Sequence, residues 1–331
     1  MPESKKQQDS LDRPSVRFVT IAADREGQRI DNFLRTELKG IPKTLIYRIL
    51  RKGEIRVNKK RIKPDYKLIT GDEVRIPPVR VPEKNEPVPV GKGLAIHLEA
   101  AVLYESDGLI IINKPSGLAV HGGSGINNGL IEALRQIRPD ARFLELVHRL
   151  DRDTSGCIMV AKKRSMLRFL HEALREKRIR KVYHAIVAGR WPNRRQRMNA
   201  PLLRDELRSG ERIVRVHADG KESITDFQVL RRFGELATLV EACPLTGRTH
   251  QIRVHSQFAG YPIIGDNKYA TDDNNQQMRD LGLKRLMLHA AELHLTLPDG
   301  DRLKVSADYD ADMQQAIDTL LKHTPSGEQS V

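Results

Sequence analysis

Apolar positions near the start of the chain repeat with two different periods. Ile30, Phe33, Leu34 and Leu38 fall at i, i+3, i+4 and i+8, the spacing of one helix face. Pro42 suits the first position of a second short helix, with Leu45, Ile49 and Leu50 inward and Gly53 ending it. The period then drops to two in Glu54-Ile55-Arg56-Val57, followed by a turn at Asn58-Lys59-Lys60. Glu73-Val74-Arg75-Ile76 reads as a last strand behind the Gly71-Asp72 turn. Residues 17–78 are thus expected to form a small α+β module, preceded by a polar tail, 1–16, of disordered composition.

Proline and charge dominate 79–99, which reads as a semi-extended linker. From 100 to about 323, strand signals lie at 109–112, 157–161, 183–188, 224–230, 237–242 and 293–297. Helical stripes are fewer: Leu130, Ile131, Leu134 and Ile137, then Met166, Leu167, Leu170 and Leu174. Strands outnumber helices and do not alternate with them. A mostly antiparallel mixed sheet is therefore expected, with 324–331 as a C-terminal tail.

Length and charge sharpen this picture. A chain of 331 residues favours two domains. A formal charge of +14 points to a polyanionic partner. The charge is clustered: Lys43, Arg48, Arg51 and Lys52 lie on the second helix, and Lys59, Lys60, Arg61 and Lys63 on the turn after it. Cations crowded in this way repel unless an anion relieves them, which is the footprint of phosphate contact. Cys157 and Cys243 are too few for a zinc site or a disulfide framework and read as buried free thiols of a reducing cytoplasm. With no long apolar run and a polar start, neither export nor membrane insertion is expected.

The segment richest in chemistry is His148-Arg149-Leu150-Asp151-Arg152-Asp153-Thr154-Ser155-Gly156. It places Asp151 between two arginines, and nearby cations favour the ionised form of a carboxylate. In an extended stretch Arg149 and Asp151 share a side and Arg152 points away. A lone Asp could equally be a turn residue in a surface ion pair. Asp151-Arg152-Asp153-Thr154 also fits the Asp-x-Asp-x-Thr pattern of haloacid-dehalogenase-like phosphatases. Those enzymes place the first Asp after a buried apolar strand and need a later Gly-Asp with a further acid for magnesium. Here His148-Arg149-Leu150 precedes it, and the acids after Gly265-Asp266 come only at Asp272 and Asp273, too far along.

A second cluster runs from Thr246 to Arg253. It reads as a helix start with Thr249 as N-cap, Gly260 past the end, and His250, Arg253 and Gln257 on one polar face. Arg253 in the first turns opposes the helix dipole and so calls for an anionic neighbour, either Asp151 or an RNA phosphate. His250 and His255 lack the His-Glu-x-x-His spacing of a zinc site, so no metal is expected. Asn113-Lys114-Pro115-Ser116-Gly117 lacks the Walker order of a nucleotide cradle. Arg180-Lys181-Val182-Tyr183 puts a ring among cations, although a lone tyrosine at a strand start is more often core.

Two resemblances organise these segments. Residues 29–34, 52–58 and 71–74 look like an S4 domain, a small RNA-binding fold of α-L type. Asn113 to Gly117, His148 to Gly156, Lys181-x-Tyr183, Thr246 to Arg253 and Leu288-His289-Ala290 resemble the motifs of the RluA family of pseudouridine synthases. The resemblance implies an S4 domain followed by a pseudouridine synthase catalytic domain. It implies isomerisation of specific uridines with large-subunit ribosomal RNA as partner, no cofactor, no obligate protein partner and a monomer. Carried over, it makes Asp151 the nucleophile, attacking ribose or base, with Arg253 paired to it and Tyr183 stacked on the uracil. Arg149 would fill the space left by the extruded base, while Arg248, His250 and Leu288 would line the substrate site. Lys43, Arg48, Arg51, Lys52, Lys59, Lys60 and Arg61 would contact RNA. The alternative from another class is a non-catalytic RNA-binding or ribosome-assembly factor using the same cationic surface.

Overall fold

The computed structural model describes residues 16–38, 40–79, 89–122, 128–192, 194–206, 212–325 and 329–330. The chain divides into two units, Met1–Pro87 and Val88–Val331. Of the tail expected over 1–16, all but Val16 lies outside the described residues.

In the first unit the helical period becomes the helices Ile30–Glu37 and Lys43–Lys52. Ile30, Phe33, Leu34, Ile46, Ile49 and Leu50 are buried between these helices and a three-stranded antiparallel sheet, ordered Arg17–Thr20, Glu73–Ile76, Arg56–Val57. Pro42 sits one position earlier than expected, as the extended N-cap with ψ 140°. Gly53 ends the helix in the left-handed region at φ 70°, where the missing side chain removes the steric cost. The strand expected over 54–57 shortens at its start to Arg56–Val57, because the Glu54 amide still bonds the Ile49 carbonyl at the helix end. Two buried carboxylates fix the module. Asp31 accepts hydrogen bonds from Tyr47 Oη at 2.6 Å and Arg29 Nη2 at 2.9 Å, and Asp72 accepts from Asn58, Tyr66 and the Ile69 amide.

The second unit is built on an eleven-stranded mixed sheet. Its main path runs Gln329–Ser330, Ile224–Phe233, Ala237–Pro244, Arg180–Ala188, Leu288–Thr296, Ser155–Ala161, Leu109–Lys114 and Val102–Glu105. Arg195–Asn199, Arg302–Ser306 and Glu145–Leu146 attach as branches. Among the described residues every strand pair is antiparallel except one, where Leu288–Thr296 meets Ser155–Ala161 at His289–Ser155 and Ala290–Gly156. That junction requires a glycine: Gly156 has φ 104°, and a Cβ there would collide with the Ala290 carbonyl oxygen. Ser155–Ala161 is buried at every position, as a strand covered on both faces should be.

Two apolar clusters flank the sheet. One gathers 109–112 and 157–161 with the helices Leu130–Ile137 and Arg164–Arg175, and the other gathers Trp191, Phe227 and Phe233 with the helix Ala311–Lys322. The linker expected over 79–99 is corrected in its second half, since Lys92–Ala100 is a helix whose Leu98 is fully buried in the first cluster. The prolines of that stretch all precede Gly91, so nothing breaks the helix after it; 80–88 lie outside the described residues. In the tail expected over 324–331, Gln329–Ser330 pair with Phe233 and Arg232 at the sheet edge. Cys157 is buried and its thiol is pushed up to about 12 by burial, whereas Cys243, expected buried, is only half-buried.

Candidate active site

The Asp151 turn hangs from the sheet by its own backbone and two neighbouring side chains. The Thr154 amide donates to the Asp151 carbonyl at 3.2 Å. His148 Nε2 accepts the Met159 amide at 3.2 Å, and burial presses the imidazole down to about 3, which keeps it a neutral acceptor. Beneath the turn, Lys114 Nζ donates to the carbonyls of Pro115 and Leu118 at 2.8 Å and of Arg152 at 2.9 Å. Burial pushes this ammonium down to about 7, yet three carbonyls use all three of its protons and favour the charged form. Ser116 Oγ adds a bond to the Asp153 carbonyl at 2.8 Å. The 113–117 segment is thus a strut under the turn. Lys114→Met is expected to cost about 3 kcal/mol by stranding buried carbonyls. Urea unfolding checks this, and a loss below about 1 kcal/mol would mean that the strut is dispensable.

The guanidinium facing Asp151 comes from neither flanking arginine. Arg152 turns to Asp153, with Nε at 2.9 Å from its carboxylate, and Arg149 is exposed with no partner among the described residues. Arg253 Nη1 instead donates to Asp151 Oδ2 at 3.1 Å. Its Nε and Nη2 grip Asp266 in a fork at 2.7 and 2.8 Å. Burial opposes the guanidinium charge, but Asp266 and Asp151 outweigh it and raise the pKa above the usual arginine value. The Tyr269 ring packs 5.0 Å from the Arg253 guanidinium carbon. Asp266 is held by Gly265, at φ 74°, where a Cβ would collide with the Arg285 carbonyl. Because both Asp266 oxygens are committed to Arg253, the Gly265-Asp266 step cannot serve the phosphatase pattern.

The helix carrying Arg253 is Gln251–Phe258, and Thr249 is not its N-cap. His250 takes that position in the left-handed region, φ 53° and ψ 21°, while the Gln251 Oε1 accepts from Thr246 Oγ1 and the Arg248 amide. The left-handed turn swings His250 toward Asp151, with Nε2 at 3.8 Å from Oδ2. Tyr269 Oη accepts the Val214 amide and lies 2.7 Å from His250 Nδ1. If the phenol donates there, the imidazole proton sits on Nε2, facing Asp151. Gln257, expected on the same polar face, is exposed.

Tyr183 lies on Arg180–Ala188, the strand next to Leu288–Thr296, and is half-buried with no hydrogen-bond partner among the described residues. Burial, and then the charge of Asp151, push its phenol above the usual tyrosine range, so it is protonated at neutral pH. Leu288 faces Ala185 across the strands, on the same sheet face as Tyr183.

Comparison with known proteins bears on this arrangement. Residues 108–258 match the RNA pseudouridylate synthase family and 28–74 the S4 domain. The chain is 57% identical over 316 residues to the ribosomal large subunit pseudouridine synthase C of Salmonella typhi, covering 93% of this chain and 97% of that one. The protein of the same name from Haemophilus influenzae is 57% identical, over 95% and 98% of the two chains. This chain is a pseudouridine synthase. The solved human RNA pseudouridylate synthase domain containing 4 superposes with a TM-score of 0.58 at 28% identity, covering 69% of this chain and 95% of that one.

The remaining expected site residues of the synthase are distributed as follows. Arg248 is exposed, and its Nε donates to the Glu222 carbonyl at 3.2 Å rather than turning to Asp151. Arg48, Arg51, Lys59 and Lys60 are exposed with no acidic partner among the described residues. Lys52 has Glu54 at 4.0 Å, Lys43 lies over the Tyr47 ring at 5.5 Å, and Arg61 covers Gly53. Asp266, Tyr269 and Gln251 also belong to this site, and no individual motif marks them in the sequence. Their signal, if any, is the density of polar residues from 246 to 269. Among the described residues no helix is long and apolar enough to cross a membrane, and no group of three or more His, Cys, Asp or Glu could hold a metal.

Proposed function

We propose that this synthase converts uridines to pseudouridine in bacterial large-subunit ribosomal RNA, and so in the cytoplasm, with Asp151 as nucleophile and the target base swung out of the RNA fold. The observation that carries the reading is the Arg253–Asp151 pair at 3.1 Å, with Tyr183 close enough to feel the Asp151 charge. The names of its 57% identical relatives support the substrate. Asp151 attacks the ribose C1′ or the uracil C6; either route breaks the N1–C1′ bond and ends with a C5–C1′ bond. The C5 hydrogen leaves as a proton and N1 gains one, so the isomerisation is redox-neutral. Arg253 orients the carboxylate, and Asp266 orients Arg253. Tyr183 enters as a neutral phenol, suited to stacking. On the C6 route Asp151 is still esterified when the C5 proton leaves, so its charge does not oppose proton transfer to Tyr183; on the C1′ route forming the C5–C1′ bond has already released the carboxylate, which can itself take the proton.

Extruding the base costs roughly a few kcal/mol. Arg149, exposed and without a partner among the described residues, lies two residues before Asp151 and can occupy the gap, and phosphate contacts from Arg48, Arg51, Lys59 and Lys60 can offset the cost. The test is a map of pseudouridines in large-subunit ribosomal RNA from cells with and without this chain. Specific sites should vanish on deletion and return with the wild-type gene. An unchanged map would refute the proposal.

A further inference from the structure

Lys181 and Tyr183 are two positions apart on the strand Arg180–Ala188 and point to the same face of the sheet. Across the strands Lys181 faces Leu293, which in turn faces Val305, and both are buried. From this apolar ground the ammonium reaches the loop that carries Arg248 and His250. A Cβ built on Gly247 would lie 3.8 Å from Lys181 Nζ and otherwise meet only open space. The charge of the same ammonium bears on the half-buried imidazole of His148, at the head of the Asp151 run. Lys181 thus stands where the tyrosine strand, the arginine loop and the aspartate turn converge.

Among the described residues Lys181 has neither a hydrogen-bond partner nor a carboxylate within 4.0 Å. Lys114, the fully buried lysine of the unit, satisfies all three of its protons, whereas Lys181 is half-buried. Burial alone presses the Lys181 ammonium below the usual lysine value. A half-buried cation without an anion loses part of its hydration, and nothing among the described residues returns it. Asp151 does not supply it, being turned to Arg253 and His250. Uracil is neutral, whereas a phosphodiester carries a full charge and accepts strong hydrogen bonds.

We infer that Lys181 binds a phosphodiester flanking the target uridine, the open space over Gly247 admitting the RNA backbone as the base enters beside Tyr183. The inference rests on the reading of this site as a uridine isomerase. Wild-type, Lys181→Met and Lys181→Arg chains, full length, are assayed on transcribed large-subunit ribosomal RNA over a range of salt concentrations. For Lys181→Met the loss is expected mainly in KM, about tenfold or more, as one charge-assisted contact disappears. The slope of log kcat/KM against log salt should become shallower by about one. Lys181→Arg should recover most of both, and the melting temperature of Lys181→Met should be unchanged or higher. A wild-type KM and salt slope in Lys181→Met would overturn the inference. So would a lowered melting temperature with a KM loss that Lys181→Arg does not repair, because that pattern marks a structural lysine. A wild-type chain unable to modify the transcript would instead sink the substrate reading, and this inference with it.

Discussion

Asp151→Ala is expected to abolish pseudouridine formation, by on the order of 10⁶-fold in kcat, the scale of a removed nucleophile, while fold and RNA affinity persist. The fold survives because Arg253 keeps its fork on Asp266 when Asp151 is gone, so no buried guanidinium is stranded. Arg253→Met should behave differently. The Asp266 side chain is 0% exposed, and losing its cation leaves a buried charge unpaired, a change worth about 3–5 kcal/mol of stability. Arg253→Lys keeps the charge but not the fork, so it should lose activity through misplacement of Asp151, by about 10²-fold or more. Single-turnover pseudouridine assays, filter binding and urea unfolding on the three variants separate these outcomes. Unchanged modification by Asp151→Ala would show that Asp151 is not the nucleophile. An Arg253→Met chain as stable as wild type would show that Asp266 does not depend on the pair.

Much of this fold, and less of the site, is legible in the residues alone. Elements made of one apolar period are legible: Ile30 to Leu38 and Leu130 to Ile137 fold as their spacing predicts, because burial on one face decides them. Strands with little burial are not. Arg17–Thr20 and Arg195–Asn199 are mostly exposed, and are held by ladder hydrogen bonds to distant partners that no local period encodes. At the site, the run around Asp151 announces a special carboxylate but points to the wrong arginines. Arg149 and Arg152 are close in sequence, while the paired Arg253 is 102 residues away. Its anchor Asp266 reads in sequence as half of a metal pattern, and only the fork of 2.7 and 2.8 Å gives it a role. His250 shows the limit of capping rules. Thr249 has the favoured side chain, yet the left-handed turn needed to aim an imidazole at Asp151 moves the helix start one residue on.

Acid is expected to destabilise the catalytic unit well before its carboxylates are protonated, through several imidazoles among which His289 is fully buried. This imidazole is 0% exposed; its Nδ1 accepts from Ser155 Oγ at 2.8 Å and its Nε2 proton goes to the Ala307 carbonyl at 3.1 Å. Both bonds suit the neutral ring, and burial presses its pKa down to about 4. Between the ordinary histidine value of 6.5 and about 4, the unfolded chain takes a proton that the native state refuses, so stability falls as pH falls through that window. Fully traversed, the window costs about 3 kcal/mol, roughly 1.4 kcal/mol for each pH unit. His148, His184 and His255 are lowered by burial and pull the same way. The carboxylates held down by their cations, such as Glu105 and Asp226, begin to matter only below their ordinary values of 4.5 and 3.8. Trp191 is the sole tryptophan and lies buried in the second unit, so its fluorescence in urea reports that unit alone. His289→Asn keeps an acceptor near the Nδ1 position but cannot titrate. It should start less stable at pH 7 and then lose less than wild type on the way to pH 4.5. Parallel stability curves for the two chains would show that His289 is not among the groups that sense acid.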